Sequence, residues 1–114
     1  MADKPVFIPV LGEGCVGRWS MISTFSYGKF YPRDEAMCLM EHHVKTQLVV
    51  DRRPRQMELY DVPGLTQFIA VRDLYIQHAN ALVLVYSITS RRSLDFLDPI
   101  YTDIVRLRVC PTPR

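Results

Sequence analysis

The chain has 114 residues, 48% of them hydrophobic and 23% charged, with a formal net charge of +2, which is the profile of one ordinary globular domain. So small a net charge names neither nucleic acid nor a membrane as a partner. Cys15, Cys38 and Cys110 show no CxxC or zinc-type spacing, so neither a disulfide framework nor a metal cluster is favoured and a reducing, cytoplasmic setting is expected.

In chain order, the apolar run from Val6 to Leu11 ends in glycines and predicts a buried strand entering a turn. Pro9 argues against an interior place for it, because proline offers no N–H to a ladder. Trp19, Ile22, Phe25 and Ser26 fall near helical spacing ahead of Gly28, which predicts a helix between Arg18 and Tyr27 stopped by the glycine. Between Phe30 and His43 no period is visible, and this stretch reads as a long exposed loop. Val44, Thr46, Leu48 and Val50 then alternate with Lys45, Gln47 and Val49 as a half-buried strand. A turn is expected over Asp51, Arg52, Arg53, Pro54 and Arg55, followed by a hairpin partner between Gln56 and Asp61. The three arginines of that turn read as a solvated tip in preference to a contact with an anionic surface.

Further on, Phe68, Val71, Leu74, Tyr75 and His78 follow a helical stripe. The segment between Ala81 and Ile88 is apolar on both faces, which predicts an interior parallel strand. Leu94, Leu97, Tyr101, Ile104 and Leu107 line a last helix face, with Asp98 expected as its N-cap and Pro99 in its first turn. The order strand, glycine loop, helix, hairpin, helix, strand, helix is an α/β arrangement of the doubly wound kind.

The chemistry-bearing segment is Gly12, Glu13, Gly14, Cys15, Val16, Gly17, Arg18 and Trp19. It matches the phosphate-loop pattern GxxxxGK[ST] at both glycines and departs from it at the last two positions. Glycines in such a loop let backbone N–H groups curl around phosphates at the positive end of the following helix. Arg18 keeps the charge of the expected lysine, but as a planar fork instead of a compact ammonium. Trp19 replaces the hydroxyl that ligates magnesium, and an indole only donates.

A second motif follows a strand end: Asp61, Val62, Pro63 and Gly64 fit DxxG. With Leu59 and Tyr60 before it, Arg72-Asp73-Leu74-Tyr75 after it, and then Val85-Tyr86-Ser87-Ile88-Thr89-Ser90, the chain resembles the Ras and Rap branch of the small GTPases. The resemblance implies a P-loop NTPase fold, a mixed, mostly parallel sheet flanked by helices and lacking the family's last strands and helices. It divides the chain into a partial G domain over residues 1–108 and a divergent tail over residues 109–114. It also implies GTP or GDP with magnesium as ligands. Gly12 through Trp19 would form the phosphate loop, the Phe30 to His43 stretch switch I, and the Asp61 to His78 stretch switch II. Asp61 would hold magnesium through water, and the Gly64 N–H would meet the outer phosphate.

The departures from that pattern set the functional expectation. The loop between Phe30 and His43 contains no threonine, with Leu39 near its place. Leu65 stands where the resemblance calls for the glutamine that orients the attacking water, and Gln67 comes two positions late. The guanine-reading NKxD element is absent from the sequence. Guanine-nucleotide binding is therefore expected to be weakened or lost, with no residue in a catalytic role. The alternatives are a non-catalytic pseudo-GTPase that binds proteins and a truncated isoform or gene-model fragment. Protein partners are expected at the surface between Leu65 and Tyr75 or along the exposed strand between Ala81 and Ile88.

Among the remaining residues, His42 and His43 alternate across a strand and so point away from shared metal ligation. Cys15, at a helix N-terminus, is weighed as a redox-sensitive thiol against an inert small residue. Trp19 and Phe25 are expected in the core. The N-terminus has no signal-peptide pattern, no stretch approaches the roughly 20 apolar residues of a membrane span, and neither Ala2 nor Cys110 fits a lipid-anchor motif.

Overall fold

The computed structural model describes residues 4–14, 16–29, 42–64 and 68–109. Strand β1 (Val6–Leu11) leads through the glycine loop into helix α1 (Arg18–Tyr27). β2 (His42–Val50) and β3 (Arg53–Asp61) form a hairpin. Helix α2 (Ile69–His78), the short strand β4 (Val83–Leu84), and helices α3 (Arg91–Asp95) and α4 (Leu97–Ile104) follow, and α4 runs into a π-helical turn at Val105–Val109. The sheet order is β2-β3-β1-β4, with β1 parallel to both β3 and β4 and β2 antiparallel to β3. This is the predicted α/β fold with a mostly parallel sheet.

Side chains alternate across a strand, so Val10 and Leu11 enter different halves of the core. Val10 joins Ile22 of α1, Val44 and Leu59. Leu11 joins Val62, Ile76 of α2, and Leu97 and Ile100 of α4. Burial of each such side chain contributes about 1.5–3 kcal/mol, and the two clusters clamp the sheet between α1 and the later helices. On the Leu11 side, the rings of Phe7, Tyr60 and Tyr75 meet edge to face at 4.8–5.3 Å.

Pro9 explains why β4 is short. Val10 O accepts from Val62 N on the β3 side, whereas Phe7 O accepts from Asn80 N and Leu11 O from Val85 N on the β4 side. By alternation Pro9 faces β4, where it has no N–H to offer. Pairing with β4 is accordingly confined to Val10↔Val83 and Leu11↔Leu84. The interior strand expected between Ala81 and Ile88 is thus a two-residue edge strand, and beyond it Tyr86 and Ile88 stand exposed.

Other expectations shift for local reasons. The hairpin turn is only Asp51 and Arg52, both left-handed with φ of 52° and 67°. Arg53, Pro54 and Arg55 belong to β3 and pair with Val50, Val49 and Leu48. Pro54 is tolerated because β1 pairs with β3 only from Met57 onward. On α2 the buried residue is Ile76, while Leu74 is exposed. Ser90 caps α3 by accepting from Ser93 N. The chain turns at Phe96, so α4 starts at Leu97 with Asp98 in its first turn and not at its cap. Pro99 falls in that first turn as expected, with Ile100 buried and Tyr101 exposed. α1 begins and ends as the sequence predicts, its stop set by Gly28 at φ 77°.

Candidate phosphate-loop site

The glycine loop lies at the end of the sheet where β1 and β3 finish side by side. Gly17, at φ 100°, turns the chain into α1 in a conformation that disfavours any Cβ. Gly12 and Gly64 come together here. A Cβ on Gly64 would lie 2.8 Å from Gly12 O and 2.8 Å from Phe96 Cζ, and one on Gly12 would lie 2.5 Å from Val85 O. Glycine at 64 is what lets the DxxG segment close against the loop, and glycine at 12 lets the loop pass close to the backbone of Val85.

Arg18, the first residue of α1, folds back into this junction. Its Nη1 donates to Gly12 O at 2.6 Å and Glu13 O at 2.7 Å, and its Nε donates to Asp61 Oδ1 at 2.6 Å. Arg18 is 6% exposed and Asp61 1%. A buried ion pair survives only when geometry and additional hydrogen bonds offset desolvation, and the two loop carbonyls supply those bonds. The guanidinium therefore tethers the first two residues of the loop to the end of β3, and its charge is compensated from within the protein.

The other loop residues are placed just as definitely. The Glu13 carboxylate accepts from Arg92 Nε of α3 at 2.6 Å. Gly14 is exposed and has open space where a Cβ would stand. Val16 packs with its Cγ2 3.3 Å from the Cβ position of Gly12. Trp19 packs against the Val10 and Ile22 cluster, in keeping with its expected core role. Phe25 does not share that role, being half exposed near the end of α1. His43 stacks on Tyr60 at 4.9 Å. Cys15, Leu39, Leu65 and Gln67, with the rest of residues 30–41 from the stretch expected as switch I, lie outside the described residues.

Two arrangements near the site were not foreseen. Ser87, Ser90 and Ser93 bond to one another, with Ser93 Oγ donating to Ser90 O at 2.7 Å and accepting from Ser87 N at 2.9 Å. The spacing of Ser90 ahead of a helical run is a cap signal that the sequence did contain. Behind Gly12 and Gly64, a cavity of about 460 Å³ opens between α2 and α4. Arg72 bridges Asp73 and Asp103 at its rim, and Arg106 reaches Asp103 at 3.3 Å. No spacing in the sequence announces a cluster whose members lie 31 residues apart.

The Ras family model matches residues 8–112. Mouse GTP-binding protein Di-Ras1 is 35% identical over 101 residues, covering 89% of this chain and 50% of the mouse protein. The chain thus spans about half the length of that relative.

Proposed function

The chain belongs to the Ras family, and on that premise we propose that it is a pseudo-GTPase: a Ras-type module with weakened guanine-nucleotide binding, no hydrolysis, and protein contact as its remaining role. The observation that carries this reading is the engagement of Arg18 by Asp61 and by the carbonyls of Gly12 and Glu13. A cation at this position serves phosphate only if its hydrogen bonds are open to the ligand. Each charge-assisted bond that a phosphate must displace costs about 1.5–3 kcal/mol.

Magnesium does not fit this residue set. The Trp19 side chain has no oxygen to ligate it, and Oδ1 of Asp61 is held by a guanidinium at 2.6 Å. The positive charge of Arg18 already neutralises the Asp61 carboxylate, which leaves that group less attractive to a second cation. On α2, Ile69 and Leu74 stand exposed, and each offers an apolar contact point for a protein partner.

Calorimetric titration of the purified chain with GDP, GTP and ATP, in magnesium and in EDTA, tests the reading. The expected result is micromolar or weaker affinity for all three, unchanged by chelation. Nanomolar, magnesium-dependent GTP binding, or purification with an equivalent of bound GDP, would overturn it.

A further inference from the structure

At the opposite end of the sheet, the β2–β3 hairpin leaves the body of the protein. β1 begins its pairing with β3 at Val6↔Met57, so among the described residues the rungs from Gln47↔Gln56 to Val50↔Arg53 have no third strand beside them. At about 3.3 Å per residue, this overhang is roughly 13 Å long. Isolated two-stranded ribbons are marginal in water, and this one presents apolar side chains at its far end: Leu48 is 39% exposed, Val49 68% and Val50 43%.

Their directions matter as much as their exposure. Leu48 and Val50 point to one face of the ribbon and Val49, opposite Pro54, to the other. Apolar side chains on both faces of a tip, with basic groups beside them, match the apolar and anionic layers of a bilayer boundary. Arg52 and Arg53 are exposed beside these residues, and Lys4, just ahead of the Val6↔Met57 rung, stands exposed at the same end, with Asp51 as the acid at the tip. Arginine stems lie along apolar surface while their heads reach for anions. The whole chain carries a net charge of only +2, so this concentration is local.

We infer that the β2–β3 hairpin tip is a membrane-contacting element, in which Leu48, Val49 and Val50 enter the headgroup boundary of an anionic bilayer while Arg52 and Arg53 bind its lipid phosphates and carboxylates. Such binding combines apolar burial with an electrostatic attraction that salt screens.

Co-sedimentation of the full chain with phosphatidylcholine vesicles, with and without one-third phosphatidylserine, tests this. The expected result is binding that requires phosphatidylserine and is released at high salt. Arg52→Glu/Arg53→Glu should weaken partitioning about tenfold or more. Val49→Ser/Val50→Ser should weaken it severalfold and leave the salt dependence in place. Far-UV circular dichroism of both variants should match the parent, and the salt series on the parent decides the matter if either fails to fold. Equal partitioning onto neutral vesicles, no binding to either, or unchanged binding by the charge-reversed variant would each overturn the inference. So would full competition by a soluble polyglutamate peptide, which would identify an acidic protein as the partner.

Discussion

The two ends of β3 treat arginine in opposite ways. At the Asp61 end, Arg18 is buried, bound to a carboxylate and to two loop carbonyls, and inseparable from the packing of Gly12 against Gly64. At the Arg53 end, Arg52 and Arg53 extend from a ribbon with no third strand among the described residues, beside exposed valines. The same side chain therefore serves as internal structure in one place and as an outward-facing charge in the other. What differs is the surroundings: strand ends, a helix start and close glycines on one side, and solvent on the other.

This contrast predicts a steep difference in tolerance to substitution. The largest effect is expected for Arg18→Ala, which leaves Asp61 buried without its cation and should destabilise the chain by about 3–5 kcal/mol in chemical denaturation. Arg18→Met combined with Asp61→Leu should recover most of that loss, because an apolar pair of similar volume removes the orphaned charge. Should Arg18→Ala shift the midpoint by less than a surface substitution does, the ion pair is not structural and the contrast fails. A smaller cost is expected for Gly64→Ala. Its added Cβ meets Gly12 O and Phe96, and overpacking of this kind costs about 1–3 kcal/mol, readable as a lowered Tm.

The smallest effect has the other sign and lies at the hairpin. Arg52 holds φ 67° without being glycine, and a left-handed L-residue costs about 1–2 kcal/mol. Arg52→Gly relieves that strain but widens the unfolded ensemble, so a net gain of about 0.5–1 kcal/mol is expected. A loss on thermal unfolding would show that the Arg52 side chain is held by contacts after all.

Much of the fold was legible in local sequence, for reasons visible residue by residue. α1 was bounded by Gly17 and Gly28, whose left-handed backbone the chain needs, β1 ended at a Gly12 with no room for a Cβ, and the alternation from Val44 to Val50 marked the strand of the hairpin. Expectations failed where a neighbour overruled local preference. Pro9 faces the β4 side and limits pairing there, so an apolar run that looked like an interior strand became a two-residue edge. Arg53 through Arg55 carried turn-like composition, yet a two-residue turn at Asp51 and Arg52 drew them into β3. Leu74 matched a helical stripe, but Ile76 faces the core.

The candidate site divides along the same line. Backbone and residue chemistry, which are local, were readable from the letters alone: glycines at 12, 14 and 17, a carboxylate at 61, a guanidinium in place of an ammonium, and an indole in place of a hydroxyl. Where that guanidinium goes was decided only by tertiary structure, because Arg18 and Asp61 are 43 residues apart and meet only once β1 and β3 lie side by side. Sequence supplies the donors and acceptors of a polar site, and the fold chooses which of them are left for a ligand.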